Sequence, residues 1–380
     1  MRSKKVTFAL SGMYLFSWGI QYLINNFMPV YVASLPFSTD KTVGEVLAIG
    51  AIVTCISEAV WSYIAGKAKN KANVFFVSLI MLIAASLLFL YDGMTKPFLY
   101  ICVVLLYGVY MVHQPLTDTI CSETHQQTKF GFGFFRSFGS LGYALTGFVL
   151  VFLPNKSPTS IFLYTAVVAA ITAVFSKMMR APRVYNAPEE KNKNIFNSAY
   201  IRFLIYAFVL GTGCSSISAF FAVYFTSPEG LGGSIEMFSM IMGLSAFVEW
   251  LIVMFYSKIS KKISAKYTFF IIAVAGVFRS LVIYLAPVPA VAALSVVFNC
   301  IWYGLLWANL APYIKSIVPA EGNAFAQGIW AVVSHGVGAF VGSYLSGIYA
   351  DAFGQRNLFL AIAIMMGVLA LFTPALIEDK

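Results

Sequence analysis

The sequence predicts an all-α membrane protein of twelve transmembrane helices in two six-helix halves. Of its 380 residues, 60% are apolar and only 11% are charged, and the mean hydropathy is +0.82. A soluble domain carries about 25% charged residues. Too few polar side chains are available to cover a water-facing surface, which excludes a soluble enzyme, a disordered chain and a nucleic-acid-binding protein.

Twelve apolar stretches are long enough to cross a bilayer, since about 20 residues span its hydrocarbon layer as a helix. The period-two pattern of a transmembrane barrel is absent, so we expect helices. Short loops that carry Pro, Gly, Ser, Asp or Lys separate most of the stretches. The predicted spans are 7–33, 42–66, 73–91, 97–123, 131–153, 158–179, 198–225, 233–257, 267–286, 289–314, 324–348 and 357–376.

The positions of Lys and Arg give an orientation, although the net charge of +10 by itself invites a nucleic-acid interpretation. Sorted by alternate loops, the basic residues concentrate on the side of the amino terminus. That side carries Arg2, Lys4, Lys5, Lys67, Lys69, Lys71, Lys129, Lys177, Arg180, Arg183, Lys191, Lys193, Lys258, Lys261, Lys262, Lys266, Lys315 and Lys380, and the other side Lys41, Lys96, Lys156 and Arg356. By the positive-inside rule, both termini are cytoplasmic and the chain spans the cytoplasmic membrane.

No constellation of residues indicates catalysis. The five cysteines fall within spans at scattered spacings, which predicts neither a disulfide framework nor a metal site. A nucleophile triad, a phosphate-binding loop and an HExxH motif are all absent from the sequence. We therefore expect no catalytic residues, no metal and no cofactor, and any transport would run on an ion gradient.

An internal repeat divides the chain into an amino-terminal half, 1–180, and a carboxy-terminal half, 198–380, joined by a polar cytoplasmic linker, 181–197. Four charged residues recur 191 residues later; the alternative is chance coincidence. The residues Glu236, Glu249, Lys258 and Lys262 of the second half correspond to Glu45, Glu58, Lys67 and Lys71 of the first. Six plus six spans with a parallel repeat is the plan of the major facilitator transporters, whose halves rock about a midplane substrate site. One chain contains both halves, so we expect a monomer.

Charged residues deep within spans are functional candidates, because an unpaired charge there is costly. Five stand out: Glu58, Asp118, Arg136, Glu249 and Arg279. Asp118 and Arg136 each lie about 10 Å inside consecutive spans, so we expect them to meet across a helical hairpin. They form either a clamp for hydroxyl groups or an anion, or a plain ion pair between two helices.

The residues around Arg136 resemble those of a known family. The pattern Phe132-Gly133-x-x-Arg136-x-Phe138-Gly139-x-x-Gly142-Tyr143 is similar to the fifth-span motif of lactose permease and the oligosaccharide:proton symporters. Asp118 falls at that family's fourth-span carboxylate position. The resemblance implies that Asp118 and Arg136 bind sugar hydroxyls and that Tyr143 stacks on the sugar ring.

In the second half, Gly276-Val277-Phe278-Arg279 resembles the ninth-span Arg of the same family and of its phenylpropionate-transporter relatives. Glu249 resembles the eighth-span Glu of those relatives. The chain departs from the family at Asn299, where a His is expected, and at Trp302, where the permease has its proton-carrying Glu. Another carboxylate must therefore carry the proton if transport is coupled to it.

Glu249 is the candidate proton site, with Arg279 as the residue that tunes its pKa. The alternative is a structural pair between the two, and Glu58, the repeat partner of Glu249, shares the proton hypothesis. Asn25, Asn299 and Trp302 are further candidates for the lining of the substrate cavity. For the two amides the alternative is an interhelical hydrogen bond, and for Trp302 it is packing.

These residues predict a proton-coupled symporter for a di- or oligosaccharide that works by alternating access. An importer of a nucleoside or an aromatic acid within the same superfamily is the first alternative. A non-transporting sensor or a lipid flippase is the second. The expected partners are a small-molecule substrate, the proton and the bilayer lipids.

Overall fold

The computed structural model describes residues 2–154, 157–179, 195–259 and 263–379, which form helices without any β-strand among them. The all-α prediction is confirmed for this part of the chain. The α-helices are α1 (Arg2–Ala33), α2 (Asp40–Lys67), α3 (Lys71–Leu88), α4 (Lys96–Tyr110), α5 (His113–Thr124), α6 (Phe132–Phe152), α7 (Ser160–Lys177), α8 (Ser198–Thr226), α9 (Ile235–Ile259), α10 (Ala265–Leu285), α11 (Pro289–Ala293), α12 (Ser295–Ile317), α13 (Asn323–Ala331), α14 (Ala339–Phe353) and α15 (Gln355–Leu376). A π-helical segment, Val332–Gly338, connects α13 to α14.

Eleven helical runs within the described residues are long and apolar enough to cross a membrane. They coincide with the second to twelfth predicted spans to within five residues at each end. Helix α1 is not among the eleven, although its 32 residues exceed the length that a bilayer requires. Its composition is more polar because it carries Trp18, Gln21, Asn25 and Asn26. The full count of twelve spans stays a prediction.

Prolines explain where the helical runs are interrupted or begin. The run from Lys96 to Gln127 breaks at Met111 and Val112, which separate α4 from α5. Pro115 lies four residues after Met111 and has no N–H to donate to the Met111 carbonyl, so the helix cannot continue regularly there. Pro289 occupies the first turn of α11, where its missing N–H has no intrahelical partner to lose.

The described chain divides into two compact units. Unit 1 comprises Met1–Ser38 and Ile52–Ala187, and unit 2 comprises Thr39–Ala51 and Pro188–Lys380. The boundary near 187 falls inside the predicted linker, 181–197, whose residues up to 194 lie outside the described ones. Thr39–Ala51 groups with unit 2, whereas the sequence assigns it to the first half. The division into two six-helix halves and the cytoplasmic position of the termini stay predictions.

Each unit has its own helix packing. In unit 1, α1 packs against α5, α6 and α7, and α3 packs against α4 and α7. In unit 2, α10 packs against α12 and α15, α8 against α14 and α15, and α12 against α9. Helix α1 therefore lies beside the two helices that carry Asp118 and Arg136.

Within unit 2, the start of α2 lies against α14 at two glycines. A Cβ atom on Gly44 would lie 2.6 Å from the carbonyl oxygen of Ser343 and 2.8 Å from the Cα of Gly347. Next to this contact, the Gln355 amide donates a 2.6 Å hydrogen bond to the Asp40 carboxylate. Small residues allow helix backbones in a membrane to approach this closely.

Replacing either glycine with a larger residue should push the two helices apart. We expect Gly44→Val and Gly347→Val each to lower the melting temperature of the purified protein by several degrees, since overpacking typically costs about 1–3 kcal/mol. Gly66→Val, on the same helix as Gly44, is the control because a Cβ there meets nothing within 4 Å. Equal melting temperatures for all three variants would contradict a close contact.

Candidate functional site

Asp118 on α5 and Arg136 on α6 meet in unit 1, as the sequence predicts. The Arg136 Nε lies 3.9 Å from the Asp118 Oδ1, which is an ion pair too long for a direct hydrogen bond. The side chains of Arg136 and Asp118 are 35% and 31% exposed, so neither is sealed in the protein interior. The two charges are therefore close enough to stabilise each other, yet they keep open hydrogen-bonding positions.

Two aromatic residues of α1 complete this cluster, and the sequence analysis missed both. The Tyr14 hydroxyl donates a 2.6 Å hydrogen bond to the Asp118 carboxylate. The Arg136 guanidinium lies 4.4 Å from the ring centroid of Trp18, in cation–π geometry. Tyr14, Trp18, Gln21 and Asn25 recur at spacings of four, three and four, which places them on one helix face and would have identified a polar face of α1.

Glycines on α6 make room for Trp18. A Cβ atom on Gly139 would lie 2.8 Å from the Trp18 ring and 3.0 Å from the Nη1 of Arg136. A Cβ on Gly142, one turn further, would overlap the backbone carbonyl of Leu15. The two glycines therefore allow α1 to approach α6 closely, which brings Trp18 against the Arg136 side chain.

Tyr143 and Asn25 lie further along the same helices. The Tyr143 hydroxyl accepts a 2.9 Å hydrogen bond from the Asn26 amide, and its half-buried ring contacts the Tyr22 ring edge-on. Asn25 is exposed and accepts a hydrogen bond from the Tyr110 hydroxyl. Both residues thus make interhelical contacts, which for Asn25 is the alternative that the sequence left open. Their contact with a substrate stays a prediction.

Glu249 on α9 and Arg279 on α10 belong to a second polar cluster, within unit 2. Both lie within electrostatic range of the Cys214 thiol and the Tyr303 hydroxyl, which are hydrogen-bonded to each other. Arg279 is only 2% exposed, and its guanidinium lies 5.9 Å from the centroid of the Phe221 ring. The second cluster therefore surrounds its carboxylate and guanidinium with a thiol, a hydroxyl and an aromatic ring.

Asn299 and Trp302 lie on α12 beside this cluster. The Asn299 amide donates a 2.9 Å hydrogen bond to the hydroxyl of Ser245, one turn before Glu249 on α9. Trp302 is fully buried, and a Cβ on Gly276 would lie 2.7 Å from its ring. This burial favours the packing role for Trp302, and its predicted contact with a substrate is not supported by exposed surface.

Glu58 on α2 has different surroundings from its repeat partner Glu249. It is half-buried in unit 1, and within the part of the chain that the structure describes no ion pair or hydrogen bond involves it. Its electrostatic neighbour is the Cys55 thiol, three residues before it on the same helix. The repeat therefore preserves the residue type and the spacing, but not the chemical neighbourhood.

Helices of this length and hydropathy define a multi-pass membrane protein, and the polar clusters inside them are candidates for its functional site. The model of the MFS_1-like family matches residues 7–361, so the chain belongs to this family. The resemblance to the major facilitator transporters is thereby confirmed.

Two bacterial relatives cover nearly the whole chain. A transporter of Bacillus subtilis named YwbF, described as uncharacterised, is 20% identical over 371 residues, which are 96% of this chain and 90% of that protein. The maltose permease of Geobacillus stearothermophilus is 21% identical over 358 residues, which are 92% of this chain and 89% of the permease. Both relatives are thus similar over more than nine-tenths of this chain.

Solved structures of transporters share the fold. The nucleoside transporter NupG superposes with a TM-score of 0.82 at 16% identity, covering 99% of this chain and all of that chain. A POT family transporter in complex with a peptide conjugate superposes with a TM-score of 0.74 at 13% identity, covering 97% and 96%. At these identities the likeness concerns the fold alone.

Gly139 provides a test of the cluster around Arg136. We expect Gly139→Val to displace Trp18 and Arg136, because its added carbons occupy their positions, and to lower substrate uptake at least tenfold. Gly133→Val on the same helix is the matched control, since a Cβ there meets nothing within 4 Å. Uptake by membrane vesicles that contain equal amounts of each variant measures the difference. Uptake by Gly139→Val at the wild-type rate would show that stacking of Arg136 on Trp18 is not required for transport.

Proposed function

We propose that this protein transports a sugar, a di- or oligosaccharide, together with a proton across the cytoplasmic membrane by alternating access. The observation that carries the proposal is the partly exposed pair of Asp118 and Arg136, with Trp18 beneath the guanidinium and Tyr14 bonded to the carboxylate. This set of groups has the chemistry that a neutral, polyhydroxylated substrate requires.

The chemistry follows from donors and acceptors held side by side. A carboxylate accepts hydrogen bonds from hydroxyl groups, and a guanidinium donates several in one plane. Because the pair is 3.9 Å apart, a substrate hydroxyl can bond to both partners without first breaking a direct hydrogen bond between them. The two opposite charges also compensate each other, which favours a neutral solute over an ion.

The similarity to a maltose permease supports a sugar as the substrate. A nucleoside is the second candidate, because its ribose presents adjacent hydroxyls to which the same carboxylate and guanidinium can bond. A transporter named for nucleosides is among the structural neighbours, although that likeness concerns the fold alone. The same uptake assay separates the two candidates.

Glu249 is the proposed proton carrier. It lies near the buried Arg279 and the hydrogen-bonded Cys214 and Tyr303, so its protonation is sensitive to rearrangement of this cluster. A conformational change that moves the guanidinium relative to the carboxylate would alter the proton affinity of Glu249. Such a change is what couples a proton to alternating access.

Substitution of the charged pair tests the substrate class. We expect Arg136→Lys to lose at least tenfold in substrate affinity, because a lysine ammonium cannot reproduce planar donation or stacking on Trp18. Asp118→Asn should show a loss of similar size, since an amide replaces one acceptor with a donor. Uptake of radiolabelled maltose, lactose and adenosine by energised cells measures the effect.

Arg202→Lys is the control for Arg136→Lys. Arg202 lies in unit 2 and pairs with Glu378 near the carboxy terminus, so this change should leave uptake unaltered. Full activity in both Arg136→Lys and Asp118→Asn would reject the proposed site. Uptake of adenosine, with no uptake of maltose or lactose, would support the proposed site but identify a nucleoside as its substrate.

Glu249→Gln should separate proton coupling from binding. In lightly buffered, de-energised cells, addition of substrate should make the medium alkaline with wild-type protein and leave its pH unchanged with the variant. Exchange of labelled for unlabelled substrate across vesicles should continue, because that process needs no net proton movement. Glu229→Gln, in an exposed loop, is the control.

Alkalinisation by Glu249→Gln at the wild-type rate would contradict this assignment. Glu58→Gln then identifies the alternative, because Glu58 is the repeat-related carboxylate. If Glu58→Gln loses alkalinisation while Glu249→Gln does not, and Glu58→Gln still exchanges substrate, then Glu58 in unit 1 is the proton site.

A further inference from the structure

Three aromatic side chains form a cluster in unit 2 that the proposed sugar and proton sites leave unused. Trp307 lies on α12, Trp330 on α13, and His335 in the π-helical segment. The His335 ring contacts Trp330 edge-on, with 5.1 Å between centroids, and Trp307 at 5.8 Å with 30° between the planes. The two indoles lie 6.0 Å apart at 76°. Each ring therefore contacts the other two.

The π-helical segment sets the position of His335. π-helices are rare and occur frequently at functional sites. Three residues of this segment, Ser334, Gly336 and Gly338, are buried. At Gly338 a Cβ would lie 3.0 Å from the Phe208 carbonyl oxygen of α8, so the segment is held tightly on this side. His335, by contrast, is exposed.

Trp307 lies on α12 close to the polar cluster around Tyr303. Trp307 is 43% exposed and follows Tyr303 by one helical turn. Tyr303 is bonded to Cys214 and lies near Arg279 and Glu249, so the aromatic cluster continues the polar cluster by about one turn of helix, or 5 Å.

The exposure differs among the rings in a way that suits a binding surface. Trp330 is only 3% exposed and forms a fixed wall, whereas Trp307 and His335 present open surface. Within the described residues, no hydrogen bond involves the ring nitrogens of His335. An imidazole that faced lipid with both nitrogens unbonded would be costly. Its nitrogens therefore remain available to polar edge groups of a ligand.

We propose that Trp307, Trp330 and His335 form a stacking subsite for a planar aromatic ring, such as a nucleobase or the aryl group of a glycoside. An exposed indole stacks favourably on any such ring, and the imidazole adds a donor and an acceptor at its edge. The three rings contact one another, and within the described residues no hydrogen bond or ion pair joins them to a carboxylate or an amide group. The subsite therefore favours a planar ring over a saccharide.

This inference extends the proposed function. It rests on that function if the aromatic ring is part of the transported solute. The subsite would then make aryl glycosides or nucleosides better ligands than the corresponding methyl glycosides. Binding of a ring without any sugar tests the subsite independently of sugar transport.

Equilibrium dialysis with the purified full-length protein measures the preference. The probes are p-nitrophenyl glucoside, methyl glucoside, adenosine, and the free rings p-nitrophenol and adenine. We expect Trp307→Leu and His335→Ala each to weaken binding of the ring-bearing probes about tenfold or more, and to leave any methyl glucoside binding unchanged. Trp307→Phe, which retains a ring, should remain within about threefold of wild type.

Trp250→Leu on α9 is the control for loss of an indole outside the cluster. Unchanged melting temperatures show that the variants fold. If Trp307→Leu does not fold, His335→Ala, in a different helical segment, still tests the subsite. Binding of p-nitrophenol or adenine that depends on Trp307, without any glycoside uptake, would support the subsite and reject sugar transport. Wild-type protein that binds no ring-bearing probe, or equal losses for ring-bearing and methyl probes, would overturn the subsite.

Discussion

The exclusion of water from the bilayer core is the constraint on which this structure depends. Backbone groups in hydrocarbon must bond within the chain, so the spans are helices, and a charge left among them requires a partner or hydration. Some ion pairs lie near helix ends, such as Lys71 with Glu123 and Arg202 with Glu378. Asp118, by contrast, lies deep in its span and is still about one third exposed. The same constraint that fixes the fold thus makes the remaining polar residues informative about function.

Close approach of helix backbones positions the side chains of both units. In unit 1, Gly139 leaves the space in which Trp18 stacks on Arg136. In unit 2, Gly276 leaves the space for the buried Trp302. In a membrane, where lipid tails are as apolar as the helices, such packing contacts contribute more to helix association than the hydrophobic effect does. The glycines therefore act on the site through the positions of large neighbours.

The two units carry related charges in different surroundings. Unit 1 combines a carboxylate and a guanidinium with tyrosine and tryptophan, which suits recognition of hydroxyl groups. Unit 2 places Glu249 and Arg279 within electrostatic range of a thiol and a phenol. Glu58 has the same place in the sequence repeat as Glu249, but it makes no ion pair or hydrogen bond with the described residues. This difference supports the proposed division of labour, with binding in one unit and proton transfer in the other.

The sequence by itself determined the helical class, eleven spans to within five residues, and the meeting of Asp118 with Arg136, because hydropathy and helical rise are local properties. It did not reveal the part of Tyr14 and Trp18, which come from a helix about a hundred residues away along the chain. It also left open that Trp302 is buried while Trp307 is exposed, since both are tryptophans of one helix. Which face of a helix meets a neighbour, and where a π-helical segment turns His335, is decided by packing between helices. Only the tertiary structure contains that information, because it depends on contacts between residues far apart in sequence.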